Sequence, residues 1–287
     1  MNFINDLKLQ YKTGGIVQKL IFWNVGIFIL SLVFFYQFTE GYFALPNWLA
    51  LNSNLIVFSK NPWTLFTYMF LHSGFLHLLF NMIVLNFSGR LFTTYFTGRQ
   101  LFGLFILGGI FSGIVYLLSY FLLGMSSQLV GASGAIMAVL IATATYAPNM
   151  SLRIPLIGIV KLWHVAAVIL AIDLIQLPIQ NTGGHIAHLG GAFFGYLYIK
   201  LLKQGTDLSK GISKLQDVVD NWSKPKAKHS FKKVHRNTNP TKNAFSNTEK
   251  DIHQKKIDAI LDKISQSGYD SLTKEEKQYV ALFNNQI

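Results

Sequence analysis

The sequence contains no cysteine and few charged residues. Of its 287 residues, 13% are charged and 51% are hydrophobic, whereas soluble domains carry about 25% charged residues. The absence of cysteine excludes disulfide bonds, thiol nucleophiles and thiolate metal sites. The low charge and the high apolar content together argue against a soluble enzyme and indicate a membrane protein.

The few charges are unevenly distributed along the chain. Residues 1–204 contain ten Lys or Arg and three Asp or Glu, whereas residues 205–287 contain fifteen and ten. We therefore predict a cytoplasmic N-terminal segment at 1–19, a membrane domain at 20–204, and a cytoplasmic extension with a basic linker at 205–287. The net charge of +12 is explained by membrane topology and does not indicate nucleic-acid binding.

Apolar stretches recur through the first two thirds of the chain and predict six transmembrane helices. They lie at residues 20–38, 75–92, 101–123, 133–147, 162–177 and 185–202. The fold class is thus predicted to be all-α, a bundle of six transmembrane helices followed by a small helical tail. The stretch at 44–72 is apolar but interrupted by Pro46, Pro62 and Lys60, so we expect a large interfacial loop there.

Positive charges alternate between successive connections and predict the orientation of the bundle. Lys and Arg flank the first span, the second and fourth connections and the end of the sixth span, and such residues stay on the cytoplasmic side. Both termini are therefore predicted to be cytoplasmic, with the odd connections facing outward. The start of the chain lacks Arg and carries Asp6, which is atypical of a mitochondrial transit peptide, and no signal-peptide cleavage pattern follows the first span.

Strongly polar side chains are few in the predicted spans, and each is a functional candidate because burying it in lipid is costly. They are His77, Asn81, Ser133, Asp173, His185 and His188. The predicted orientation places all of them toward the outer leaflet, which indicates a single site. Of the two histidines in the sixth span, His185 is one turn nearer the surface and is interpreted as less certain, with an interfacial role as its alternative.

The segment Gly131-Ala132-Ser133-Gly134 carries the candidate nucleophile. Its glycines allow a sharp turn into a helix, which places the serine at a helix N-terminus, where a developing oxyanion is stabilised. The helix that follows is about 22 Å long, too short for a membrane of about 30 Å, so Ser133 is expected below the outer surface in a hydrated cavity. Taken alone, the motif is more typical of small-residue packing between helices.

His188 is the candidate general base for this serine. Gly191 and Gly195 follow it at a spacing that allows close helix packing, and Gly134 with two alanines supplies the counterpart in the fourth span. This approach brings His188 to Ser133, where a neutral imidazole can accept the hydroxyl proton. A histidine hydrogen bond between helices without chemistry is the equally weighted alternative.

His77 and Asn81 lie four residues apart on one helical face and can donate N–H groups to an oxyanion beside the serine, although their spacing alone is more typical of a structural role. His72 is expected to order the outer loop or to hydrogen-bond to backbone. Asp173 could orient His188 as in a triad, but a structural hydrogen bond within the bundle is the preferred interpretation.

Metal-dependent and aspartate-dependent proteolysis are disfavoured by the sequence. There is no His-Glu-x-x-His motif, and the predicted spans contain one Asp and no Glu. The histidines that could in principle bind a metal have no carboxylate or thiolate support in the sequence pattern; they are His72, His77, His185 and His188. We therefore predict no metal and no other cofactor.

Three separated motifs closely resemble those of the rhomboid family of intramembrane serine proteases, of bacterial type with a C-terminal extension. They are Gly131-Ala132-Ser133-Gly134, Ala187-His188-x-x-Gly191-x-x-x-Gly195 and His77-x-x-x-Asn81. The resemblance covers roughly residues 15–205. It implies a Ser133 and His188 dyad without a carboxylate, with Asn81, His77 and the Ser133 amide facing the oxyanion. It also implies single-pass transmembrane substrates, cleaved in or near the outer part of their spans.

The C-terminal extension is predicted to contain a short amphipathic helix, a basic run and two capped helices. Thr248 with Asp251, and Thr273 with Glu276, have the spacing of a helix N-cap and its third residue. Apolar stripes on these helices predict a hairpin that packs on itself or on a protein partner; they consist of Ile257, Ile260, Leu261 and Ile264, and of Tyr279, Val280 and Phe283. Basic residues expected to contact anionic membrane lipids are Lys224, Lys226, Lys228, Lys232, Lys233 and Arg236.

Two functions are alternatives to proteolysis for this sequence. A catalytically inactive rhomboid-like protein that binds transmembrane helices is the alternative, and the presence of both Ser133 and His188 disfavours it. A six-span transporter is disfavoured because the sequence shows no repeated halves and a single carboxylate within the spans.

Overall fold

The computed structural model describes residues 3–123, 127–155, 157–179, 181–223 and 244–284, and the chain is mostly helical. The helices are α1 Phe3–Thr13, α2 Ile16–Phe35, α3 Leu55–Lys60, α4 Thr64–Thr67, α5 Phe75–Thr93, α6 Gly98–Leu123, α7 Ser133–Tyr146, α8 Leu162–Gln176, α9 Thr182–Lys203, α10 Lys210–Ser223, α11 Ala244–Ser267 and α12 Lys274–Asn284, with 3₁₀ helices at Tyr68–Phe70 and Tyr269–Ser271. Short strands are β1 Tyr36–Gln37, β2 Tyr42–Phe43, β3 Leu51–Asn52, β4 Gln128–Leu129, β5 Ser151–Ile154 and β6 Gly158–Lys161.

Each of the six predicted spans corresponds to a helix whose ends differ from the predicted ones by a few residues. By length and composition, three helices are able to cross a membrane: α2, α5 and α6. Helices α7 and α8 are apolar but shorter. The described chain is therefore a helical protein with three candidate membrane spans, and the count of six remains a prediction.

Helix α7 lies at the centre of the bundle, between α5, α6, α8 and α9. Every residue from Gly134 to Ala144 is buried, as expected for a helix that is apolar on all faces. A methyl group at Gly191 would overlap the carbonyl oxygen of Gly134, and one at Gly195 would overlap that of Ala138. The predicted close packing of the fourth and sixth helices through small residues is thus confirmed.

The connection between α2 and α5 holds short helices and strands and no helix longer than six residues, which confirms that the stretch at 44–72 is a loop and not a spanning helix. β1 and β2 form an antiparallel hairpin. β3 pairs with β4 just before α7, and the backbone amide of Gly131 donates to the carbonyl oxygen of Tyr68 at 3.0 Å. The first connection therefore fixes the turn that leads into α7.

The chain divides into two compact units, residues 1–225 and 226–287. In the first, the predicted amphipathic helix after residue 205 is α10, and it packs against α6. Asp217 of α10 forms an ion pair with Arg99 at 2.9 Å. Just before the helix, Asp207 accepts hydrogen bonds from Gln100, Tyr198 and Ser209. These contacts hold the end of α9 and the start of α10 on the bundle.

In the second unit, α11 and α12 are linked by an ion pair between Lys263 and Glu276 at 2.9 Å. The predicted cap at Thr273 is confirmed, because the Thr273 amide donates to Glu276 and the Glu276 amide donates to the Thr273 hydroxyl. The predicted cap at Thr248 is wrong, because α11 begins upstream at Ala244. The basic residues expected to contact lipid, Lys224, Lys226, Lys228, Lys232, Lys233 and Arg236, lie outside the described residues.

Candidate active site

A cavity of about 1180 Å³ opens between α5, α7, α8 and α9. Five of the six polar residues singled out in the sequence line it: His77, Asn81, Ser133, Asp173 and His188. The sixth, His185, is buried and hydrogen-bonds to Asp173. The structure therefore brings all six together at the end of the bundle where α5, α7 and α9 begin.

Ser133 is the first residue of α7, directly after the sharp turn expected from its flanking glycines. Gly131 has a φ of +126°, a conformation that residues with a side chain rarely adopt. A Cβ atom there would also lie 2.9 Å from Nε2 of His77 and 3.6 Å from the hydroxyl oxygen of Ser133. Glycine at 131 thus allows the backbone to pass between the serine and His77. Because Ser133 begins the helix, its own amide has no acceptor within α7.

His188 is held in place by a hydrogen bond to its ring. Its Nδ1 atom lies 2.8 Å from the Oδ1 atom of Asp173. A carboxylate can only accept, so Nδ1 carries the proton and Nε2 is left as an acceptor. The packing of α7 on α9 puts this ring near the nucleophile, since a Cβ at Gly134 would lie 3.3 Å from the carbonyl oxygen of Ala187.

His185 differs from its sequence-based interpretation, whereas the hydrogen bond within the bundle expected for Asp173 is present, and one of its partners is the candidate general base His188. His185 was given an interfacial alternative, but α9 begins at Thr182, three residues before the predicted start, so His185 lies inside the helix and is 8% exposed. The same carboxylate oxygen of Asp173 lies 2.8 Å from Nδ1 of His185.

His77 and Asn81 lie on the first turns of α5 and face the cavity. The side-chain amide of Asn81 donates one hydrogen to the carbonyl oxygen of His77 at 2.8 Å, which leaves its second hydrogen for another acceptor. The Ser73 amide lies 3.4 Å from Nδ1 of His77. Because a backbone amide only donates, Nδ1 is the acceptor, and a neutral His77 carries its proton on Nε2.

Two features of the site were missed by sequence reasoning. Ser73 was not considered, although it lies four residues before His77, and its hydroxyl oxygen is 3.0 Å from Nδ1 of that histidine. Gln128 also lines the cavity, from strand β4. His72, expected to order the loop, is fully buried with its ring 5.1 Å from that of His77.

The group Asp173, His185 and His188 has ligand atoms within 4.8 Å of one another and could reach a common cation. The two hydrogen bonds that both imidazoles make to one carboxylate oxygen already account for this arrangement. The group is therefore interpreted as a hydrogen-bonded network.

Comparisons with known proteins agree with the motifs. Residues 59–205, about half of the chain, match the rhomboid domain, and residues 243–281 match a family of unknown function. The chain is 34% identical over 135 residues to "Presenilin-associated rhomboid-like protein A, mitochondrial" of Danio rerio, over 45% of this chain and 35% of that protein. It is 30% identical over 151 residues to "RHOMBOID-like protein 7" of Arabidopsis thaliana, over 52% of this chain and 45% of that protein.

The chain thus spans less than half the length of these relatives. The matched domain contains every residue that forms the cavity network described above, from His77 to His188. Together with the membrane-spanning helices, this match shows that the chain is an integral membrane protein that belongs to the rhomboid family.

Proposed function

We propose that this protein is an intramembrane serine endopeptidase that cleaves single-pass transmembrane proteins in or near the outer part of their spans. Ser133 is the nucleophile and His188 the general base. One observation carries the proposal: a serine at the N-terminus of a buried helix shares a cavity with an imidazole whose Nδ1 is already hydrogen-bonded. Such a pair is the minimum needed for nucleophilic catalysis by serine.

The reaction proceeds in two stages. In the first, Nε2 of His188 accepts the hydroxyl proton while the Ser133 oxygen attacks the scissile carbonyl carbon. The tetrahedral intermediate collapses, the leaving amine takes the proton from His188, and an acyl-enzyme remains. In the second stage, water from the cavity attacks the ester with His188 again accepting a proton, and that proton returns to the serine oxygen as the carboxylic acid departs. No cofactor takes part.

Three N–H groups are assigned to the oxyanion: Nε2–H of His77, the second amide hydrogen of Asn81, and the backbone amide of Ser133. The Ser73 amide on Nδ1 of His77 supports the first assignment, and the hydrogen bond from Asn81 to the backbone of α5 supports the second. Donors held in this way before substrate binds stabilise the transition state without reorganisation. Gly131, Gly134, Gly191 and Gly195 support the site by allowing close backbone approach.

Substrate access is proposed to occur laterally, between α5 and α8. The cavity reaches apolar residues of both helices, Phe80 on α5 and Ile172 on α8, and these side chains are 62% and 46% exposed. A substrate helix hides its carbonyl groups in hydrogen bonds, so spans with Gly or Pro near the outer interface should unwind into the cavity more readily.

The orientation follows from the charges flanking the helices. The catalytic end is proposed to face the extracytoplasmic side of a bacterial cytoplasmic membrane, with both termini in the cytoplasm, because basic residues flank the opposite ends of the spans. The C-terminal unit is proposed to be a cytoplasmic extension that docks a protein partner or touches membrane lipids.

The test is cleavage of a membrane-spanning reporter by the purified protein in detergent. We expect cleavage by wild type, and loss of both cleavage and fluorophosphonate labelling in Ser133→Ala, whereas His188→Ala should lose cleavage. Ser88→Ala is the matched control, because Ser88 is buried in α5 with its hydroxyl bonded to the Val84 carbonyl. His164→Ala serves the same purpose, because His164 lies on α8 outside the cavity lining.

A folded wild-type protein that neither cleaves nor labels would reject the protease. The alternative, an inactive rhomboid-like protein that binds transmembrane helices, would then be tested by measuring binding of the same reporter span.

A further inference from the structure

We propose that Asp173 is a positioning residue for His188, and that His185 holds Asp173 in place for this task. The inference rests on the proposed serine protease function and adds a carboxylate to a site whose motifs imply a dyad without one. It requires no additional group at the site, because all three residues are already in contact.

The contact joins two helices through one atom. Asp173 lies near the end of α8, and His185 and His188 lie three residues apart on one face of α9. The Oδ1 atom of Asp173 is 2.8 Å from Nδ1 of each imidazole. The Asp173 side chain is 5% exposed and that of His185 10%, whereas that of His188 is 22% exposed. The first two are therefore largely enclosed, and His188 is the most exposed member of the group.

The shared oxygen fixes the tautomer of both rings. Each Nδ1 must donate, because two acceptors 2.8 Å apart would repel each other. The lone pair of His188 is then on Nε2, which is the arrangement a general base needs. In the other tautomer Nδ1 would place a lone pair against the carboxylate, and Nε2 would carry a proton and could not accept one from Ser133.

The second carboxylate oxygen of Asp173 is buried and has no hydrogen-bond partner among the described residues. The negative charge is thus stabilised by two N–H donors, both on the other oxygen. A positive charge next to this carboxylate is favoured, because opposite charges attract strongly where water is scarce. When His188 takes the serine proton, the resulting imidazolium carries such a charge next to Asp173. The stabilisation therefore favours the transition state over the ground state, which is what accelerates the reaction.

His185 has the separate role of orienting the carboxylate. Of the residues of α8, only Leu162, Ala166 and Asp173 are fully buried, so few side chains fix the angle of this helix against the bundle. The His185 N–H holds Oδ1 from a second direction and limits rotation of the carboxylate. Without this N–H group, the carboxylate would keep its charge but lose the hydrogen bond from His185 that helps to orient it toward His188.

The experiment compares Asp173→Asn with wild type in the full-length protein in lipid. An asparagine amide can rotate and donate to Nδ1, which would stabilise the wrong tautomer. We expect kcat to fall about 10²- to 10⁴-fold, and KM to stay within about threefold because no substrate contact is removed. In Asp173→Asn, the rate at which a fluorophosphonate labels Ser133 should fall by a factor similar to the loss of kcat. Nitrogen-15 NMR of labelled histidines should show a proton on Nδ1 of His188 in wild type and on Nε2 in Asp173→Asn.

His185 is tested with a pair of variants. His185→Gln keeps an N–H donor and should retain most of kcat, whereas His185→Leu removes the donor and should lower kcat by less than Asp173→Asn does. The control is Asp207→Asn, which changes another partly buried aspartate that bonds to α9, through the Tyr198 hydroxyl, and that is not among the residues lining the cavity. It should leave kcat and the His188 tautomer unchanged.

A merely structural Asp173 would give a different result. If Asp173→Asn lowered thermal stability while kcat stayed within about threefold of wild type, the inference would be overturned and the protease function would stand. If wild type itself neither cleaved nor labelled, the protease function would fail, but the NMR measurement would still decide the positioning role: an unchanged His188 tautomer in Asp173→Asn would reject it.

Discussion

The backbone amide of Ser73 and the Nδ1 atom of His77 are within hydrogen-bonding distance across the start of α5. This single contact decides which ring nitrogen of His77 can donate into the cavity. Because the amide is part of the backbone, no side-chain substitution at residue 73 removes it. The orientation of the donor is therefore set by the fold, and the Ser73 hydroxyl at 3.0 Å adds to it.

The first prediction concerns the two side-chain donors of the oxyanion site. His77→Ala and Asn81→Ala should each lower kcat by about 10²- to 10³-fold, with a small change in KM, because the donors act on charge that develops only in the transition state. Ser73→Ala should cost less than about tenfold, since the backbone donor remains. The measurement is reporter cleavage at saturating and limiting substrate.

Asn86→Ala is the matched control for Asn81→Ala. Asn86 lies on the same helix, one and a half turns further on, and its side chain accepts a hydrogen bond from Arg90. It should leave kcat unchanged. Equal losses in the two asparagine variants would contradict the oxyanion assignment and indicate a general effect on α5.

The second prediction concerns the packing of α7 on α9. Gly195→Ala should lower the free energy of unfolding by about 1–3 kcal/mol, because the added methyl group would overlap the carbonyl oxygen of Ala138. Thermal unfolding in detergent is the measurement. Gly26→Ala on α2 is the control: open space surrounds Gly26, and alanine in a helix interior is favoured over glycine by about 0.5–1 kcal/mol. A Gly195→Ala variant as stable as Gly26→Ala would show that the two helices can separate without cost.

The sequence predicted those features that depend on local pattern. The helices, the turn at Gly131 and the small-residue contact of Gly191 with Gly134 follow from hydrophobic runs and glycine spacing. The sequence left the contact between Asp173 and His188 as the less favoured alternative, because the two residues lie on different helices and their meeting depends on the rotation of α8. The apolar run of the sixth span suggests a helix that starts at residue 185, which places His185 near the surface. Helix α9 begins about one turn earlier, at Thr182.

The third prediction concerns the pH dependence of the C-terminal unit. The Thr273 amide and the Lys263 ammonium lower the pKa of Glu276 from its ordinary value of 4.5. Because the folded-state pKa of Glu276 is lowered, the ionised side chain stabilises the cap at pH values above its unfolded-state pKa. This stabilisation is lost as the pH falls through the folded-state pKa. Hydrogen exchange of the α12 amides, corrected for intrinsic rates, should therefore accelerate below pH 4.5 in wild type.

Glu276→Gln should remove most of this pH dependence, because the glutamine amide is uncharged and does not titrate in this pH range. Glu275→Gln is the neighbouring control and should behave like wild type, since Glu276 makes the bonds to Thr273 and Lys263. Exchange in α12 that was equally pH-dependent in Glu276→Gln would show that another group controls the cap.

The fourth prediction compares two aspartates, Asp207 just before α10 and Asp217 in the middle of it. Burial raises the pKa of Asp207, but hydrogen bonds from Ser209, Gln100 and Tyr198 outweigh it and leave the pKa below its ordinary value. Asp207 therefore stabilises the fold at pH values above the ordinary pKa of an aspartate. This stabilisation is lost as the pH falls through the folded-state pKa of Asp207. Asp207→Ala should lower the free energy of unfolding by about 1–3 kcal/mol, because four donor groups on Ser209, Gln100 and Tyr198 lose their acceptor.

Asp217→Ala should cost less than about 1 kcal/mol, because its ion pair with Arg99 is exposed to solvent. Thermal unfolding of both variants at neutral pH measures the difference, and protease accessibility of α10 shows whether the helix has detached. A larger loss in Asp217→Ala would mean that the surface ion pair, and not the hydrogen bonds that converge on Asp207, holds α10 on the bundle.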